Sequence, residues 1–169
     1  MKLHFTALIT AVLFALGAFL ETGCGKKSVG PPIYDTKADG AKLIADALAV
    51  AQREHMRVLI EFGANWCIWC HRLHDLLTAD PEISAYFKHR FLLVLVDVDN
   101  RNGPRRNEEL VARYSNPIEH GLPGLILLDP NGQQLKTQDP AEFETGDHYD
   151  RAKVMQFLKE WASKPEAAK

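Results

Sequence analysis

Arg57-Val58-Leu59-Ile60-Glu61-Phe62-Gly63-Ala64-Asn65-Trp66-Cys67-Ile68-Trp69-Cys70 is the stretch that decides the reading of this chain. Its first half packs β-branched and apolar residues into a short run that ends at a glycine, the pattern of a strand buried on both faces. Its second half holds a Cys-x-x-Cys pair, and beyond it Leu73, Leu76 and Leu77 recur at helical spacing until Asp80-Pro81 ends the segment. A buried strand therefore runs through a short loop into a helix that begins at the two thiols.

Outward from that unit, Ala41, Leu43, Ile44, Ala47, Leu48 and Ala51 mark an amphipathic helix with Asp39 as its cap. Downstream, Ile83, Ala85, Tyr86 and Phe87 make a short helix, and Phe91 to Val96 is the most apolar run of the domain, expected as a central strand. Residues 107–114 read as helix. Residues 124–128 read as a strand that turns through Asp129-Pro130-Asn131-Gly132 into a second strand over 133–137. A last helix is expected over 151–163, with Val154, Phe157, Leu158 and Trp161 on one face. Strands alternating with helices imply an α/β domain: a mixed sheet of about four strands with helices on both faces.

Composition bounds the function. The 169 residues are 46% hydrophobic and 25% charged, ordinary for one globular domain. A net charge of -2 gives no basic surplus with which to neutralise phosphates, so nucleic acid is set aside as a partner. Lys2 and His4 precede an uncharged run from Phe5 to Leu20, the shape of a secretory signal, and residues 1–23 are assigned to it. Thr22-Gly23-Cys24 resembles the end of a bacterial lipoprotein signal, which implies lipidation of Cys24 and membrane attachment. Glu21 departs from that motif, which normally has an apolar residue three places before the cysteine. Residues 24–39, with Gly30-Pro31-Pro32, read as a flexible tether, 40–163 as the domain and 164–169 as a disordered tail. The expected location is exported and periplasmic, with membrane anchoring through Cys24.

Glu61 to Cys70, followed far downstream by Gly121-Leu122-Pro123-Gly124, resembles the thioredoxin-like superfamily over roughly residues 40–162. The resemblance implies the thioredoxin fold and a thiol-disulfide oxidoreductase whose only redox group is the disulfide Cys67-Cys70, with no further cofactor. Cys67 is then the nucleophile: at a helix N-terminus, free N–H groups and the helix dipole favour its thiolate. Cys70, one turn on and less exposed, is the resolving thiol. Glu61 matches the family's buried acid and would accept the proton of Cys70. Pro123 is expected to be cis, and Trp66, Ile68, Trp69, Leu122 and Pro123 form the substrate-binding surface. Two departures stand out. Residues 92–96 lack the lysine that many thioredoxins carry beside the acid, and Ile68-Trp69 replaces the more familiar Gly-Pro.

Partners implied are protein thiols and disulfides of the cell envelope and an upstream redox donor or acceptor, with the protein itself a monomer. Residues 71–122 leave no space for the helical insertion of the strongly oxidising branch, which favours the reductive direction. Three rival readings use the same residues. Cys67-Ile68-Trp69-Cys70-His71 matches the c-type haem attachment motif. Cys67, Cys70, His71 and His74 share one helical face, but four ligands from one straight helix cannot surround a metal tetrahedrally. Asp97 to Glu108 hints at a calcium loop, yet Arg101 occupies a ligand place and Gly103 falls one position late. His71 is more simply a residue of the helix surface. A thioredoxin-like binding module without catalysis is the last alternative.

Overall fold

The first helix of the structure, a computed structural model that describes residues 29–101 and 103–162, is α1 (Gly40–Glu54). Asp39 caps it by accepting from the Lys42 amide at 3.1 Å, and His55 ends it in the left-handed conformation at φ 53°. Then follow β1 (Arg57–Gly63), α2 (Ile68–Ala79), α3 (Pro81–Phe87) and β2 (Phe91–Asp97). After these come α4 (Glu108–Arg113), β3 (Gly124–Leu128), β4 (Gln134–Gln138), a 3-10 turn (Pro140–Phe143), β5 (Glu144–Thr145), β6 (His148–Tyr149) and α5 (Arg151–Trp161). The expected leader, Cys24, the expected tail and Ser163 lie outside the described residues.

The main sheet has the order β2-β1-β3-β4, with β1 parallel to β2 and antiparallel to β3. The expectation of a mixed four-stranded sheet holds. The apolar run at 91–96, however, forms an edge strand rather than a central one. Its side chains are apolar because both of its faces are covered: Leu92, Val94 and Val96 join the core under α1 and α4, while Phe91 and Leu93 join the core under α2, α3 and α5. Coverage of both faces and pairing on both edges leave the same mark on a sequence. The strands that lie between two neighbours are β1 and β3. The small β5–β6 hairpin and the 3-10 turn before it carry no apolar periodicity.

Alternation along β1 positions the site. Val58, Ile60 and Phe62 enter the core under α1, and Leu59 enters the core under α2. Side chains two apart share a face, so Glu61 points to the α2 side with Leu59. Its register partners are Leu95 of β2 and Leu125 of β3. A carboxylate is thus held in the middle of the sheet between two aliphatic neighbours.

Candidate active site

Cys67 is the N-cap of α2. Its Sγ accepts from the Cys70 amide at 3.1 Å, and its own amide donates to the Ala64 carbonyl at 2.9 Å. The pair is closed as a disulfide, with the Cα atoms 5.3 Å apart. Cys67 retains 5% of its surface and Cys70 none, so both are buried and the first cysteine is the less deeply so. Ile68, between them, is 43% exposed, an apolar side chain presented outward beside the disulfide.

Glu61 is completely buried. Its Oε1 accepts from the Tyr34 hydroxyl at 2.7 Å, and its Oε2 has no hydrogen-bond partner among the described residues. Burial pushes its pKa from the ordinary 4.5 up to about 8, and the Tyr34 hydrogen bond offsets only part of that rise. This burial places the carboxylate in the interior of the sheet, away from solvent. No lysine among the described residues lies against the acid; the group that does is a tyrosine.

Tyr34 comes from a segment assigned in sequence to the tether. The structure differs there: Tyr34 is only 3% exposed and packs in one cluster with Cys67 and Cys70, with Ile33, Trp66, Trp69, Leu95 and Leu122 around them. Asn65 clasps the segment. Its Oδ1 accepts from the amides of Ile33 and Tyr34 at 2.8 and 2.9 Å, and its Nδ2 donates to the Tyr34 carbonyl at 2.9 Å. Gly63 makes the room. A Cβ there would lie 2.6 Å from Tyr34 Cζ and 2.8 Å from Cys70 Sγ. The packed unit therefore begins before α1.

His71 is also placed otherwise than expected. It is buried, with Nε2 3.0 Å from the Asn65 carbonyl, because the strap at Gly30 covers the face of α2 it occupies. His74 lies 3.4 Å from the Asp75 carboxylate.

The expected substrate-facing residues divide. Leu122-Pro123 is a cis peptide bond, Pro123 is buried, and Leu122 packs against the cluster that holds both cysteines. A groove of about 400 Å³ runs from Leu122 and Pro123 past Asn116 and His120 to Gln138 and Glu142. Trp66 is tied down by its indole nitrogen, which donates to Asp99 at 2.7 Å, and its ring lies 3.4 Å beneath the Arg101 guanidinium. Trp69 meets Tyr149 of β6 edge-on at 5.1 Å and carries Arg72 over its ring. Sequence reasoning missed Tyr34, Asn65, Asp99 and Tyr149. Only Asn65, in the loop between the strand and Cys67, carried a positional signal.

A family model described as thioredoxin-like matches residues 41–130. The chain belongs to the thioredoxin-like family. The crystal structure of a disulphide isomerase from Xylella fastidiosa Temecula1 is 30% identical in sequence and superposes with a TM-score of 0.66, covering 76% of this chain and 95% of that one. Disulfide bond reductase DsbH of Chlamydia pneumoniae is 29% identical over 97 residues, 54% of this chain and 57% of DsbH. The thiol:disulfide interchange protein DsbD of Pseudomonas fluorescens is 29% identical over 93 residues, which is 15% of DsbD. The chain thus spans about half the length of DsbH and a small part of DsbD.

Within this thioredoxin-like domain the rival uses of the motif meet engaged atoms. Of the c-type haem motif, His71 is buried with its Nε2 3.0 Å from the Asn65 carbonyl. Of the residues that hint at a calcium loop, Asp97 pairs with Arg106, and Asp99 accepts from Trp66 and from the Arg101 amide. Those carboxylates hold a loop against the redox centre.

Proposed function

We propose that this chain is a thiol-disulfide oxidoreductase of the bacterial cell envelope, working in the reductive direction on protein disulfides through Cys67 and Cys70. The observation that carries this reading is the Cys67-Cys70 disulfide at the N-cap of α2, with Cys67 the less deeply buried of the two cysteines. The names of the relatives support disulfide chemistry, and that of DsbH supports reduction.

The cycle starts from the dithiol. The Cys67 thiolate, favoured by the free N–H groups of the first turn of α2, attacks one sulfur of a substrate disulfide. That S–S bond breaks, the leaving substrate sulfur takes a proton from solvent, and a mixed disulfide remains. Glu61 then accepts the proton of Cys70, whose thiolate attacks Cys67 Sγ and expels the second substrate thiolate. The substrate has gained two electrons and the pair has become the disulfide seen here. An upstream dithiol donor returns the pair to its reduced state, and no bound cofactor is required. Ile68, Leu122 and Pro123 supply the surface on which the substrate segment lies, with Trp66 and Trp69 buttressing it. The leader at 1–23 and a lipidated Cys24 account for export and attachment, and the domain acts as a monomer.

The test is to equilibrate the protein in defined thiol buffers, measure the Cys67-Cys70 potential, and trap partners with Cys70→Ala. A potential near or below that of thioredoxin, about -270 mV, with envelope proteins captured on Cys67, is the expected result. A pair that does not reduce protein disulfides, or one with a potential near -120 mV, overturns the reductive reading. Mass spectrometry of the membrane-extracted protein tests the acyl group on Cys24.

A further inference from the structure

Tyr34 reaches the redox centre from a chain segment outside the helices and strands of the fold, yet it is among the most tightly held residues of the site. Its backbone is clasped by two hydrogen bonds to one side chain, Asn65, which also holds the Ile33 amide. Its ring lies where a side chain at Gly63 would otherwise be, in the same cluster as Cys70. Its hydroxyl ends 2.7 Å from Glu61 Oε1 in a fully buried environment. That bond occupies one carboxyl oxygen, and the other, Oε2, is buried without a partner. A buried polar atom without a partner costs free energy, and such atoms in a folded protein call for an explanation such as a catalytic role.

We propose that Tyr34 is a positioning residue of the exchange reaction: held by Asn65, it fixes Glu61 through Oε1 and leaves Oε2 as the oxygen through which the Cys70 proton enters and leaves. The proposal rests on the reading of Glu61 as the proton acceptor. The strap does two opposed things to the acid. Its hydroxyl stabilises the carboxylate, while its bulk excludes the water that would stabilise it more. The other groups that act on this pocket are the Tyr149 hydroxyl from β6, Asp97 at the end of β2, itself paired with Arg106, and Cys70 from α2.

The two effects separate in two variants of the full chain. Tyr34→Phe keeps the ring and the Asn65 clasp and removes only the donor, so the Glu61 titration should move up by about one pH unit. Asn65→Ala releases the strap and admits water, so the titration should move down. The carboxyl carbon of Glu61, assigned with Glu61→Gln, is followed by NMR against pH in the oxidised protein. In parallel, resolution of a mixed disulfide between Cys67 and a chromophoric thiol is timed against pH. Tyr34→Phe should slow it about tenfold with its pH profile displaced in the same direction as the titration. A wild-type titration and profile in Tyr34→Phe overturn the role of Tyr34, and so do shifts of the same sign in the two variants. If Glu61→Gln leaves the resolution profile unchanged, the proton-acceptor reading fails instead. Should Asn65→Ala not fold, the Tyr34→Phe comparison decides by itself.

Discussion

The Trp66 indole donates to Asp99 at 2.7 Å, and this bond fastens the loop after β2 to the residue that precedes the nucleophile. Asp99 also accepts from the Arg101 amide at 2.9 Å, and the Arg101 guanidinium covers the indole ring at 3.4 Å. Two segments far apart in sequence thereby fix the rim beside Cys67.

Asp99→Ala leaves the indole N–H without its acceptor and releases the loop. A loss of about 1–3 kcal/mol is expected in urea unfolding. Trp66→Phe in that background should cost little more, because both changes remove one interaction. A double-mutant cycle checks this, and strictly additive losses would show that the bond does not couple them.

Gly63→Ala tests the close approach of Tyr34 and Cys70. A methyl group would stand 2.6 Å from Tyr34 Cζ and 2.8 Å from Cys70 Sγ, so one of them must move. Replacing glycine in a strand ordinarily gains stability. Here overpacking should reverse the sign, with a loss of about 1–3 kcal/mol and altered near-ultraviolet dichroism from the displaced rings.

Glu61 sets a pH dependence of stability with a definite sign. Its pKa is raised in the folded state from 4.5 to about 8, so between those values the folded protein binds the extra proton. Its favourable contribution is complete below pH 4.5 and is lost as pH rises through 8. Urea unfolding of the oxidised protein should therefore show stability falling over that window by a few kcal/mol, on the order expected for a shift of this size. The difference between wild type and Glu61→Gln isolates the effect, and a constant difference from pH 4.5 to 8 would contradict it.

Tyr149 separates ring from hydroxyl. The ring is buried against Trp69, and the hydroxyl has no partner among the described residues. Tyr149→Ala should cost about 3–5 kcal/mol in thermal or urea unfolding through the cavity it leaves. Tyr149→Phe should be neutral or stabilising, within about 0.5 kcal/mol, since it removes only an unpaired polar atom.

Much of the architecture was legible along the chain. The bounds of β1, the start of α2 at the cysteines, the Asp80-Pro81 stop and the β3–β4 turn follow from local rules of periodicity, capping and turn chemistry. The position of β2 at the sheet edge was not legible, because an edge strand covered on both faces is as apolar as a central one. Nor was the burial of His71: helical spacing tells which residues share a face, but not that a strap from residue 30 covers it.

What the sequence by itself determined is the redox pair, its seat at a helix N-terminus, and an acid on the strand before it, since each depends on spacing within a few residues. Only the tertiary structure decided what the acid touches. Tyr34 lies in a Gly- and Pro-containing stretch with no periodicity, and nothing local marks it as buried. Its place follows from the Asn65 clasp and the missing Cβ of Gly63, contacts spanning about thirty residues that exist only once the sheet has formed.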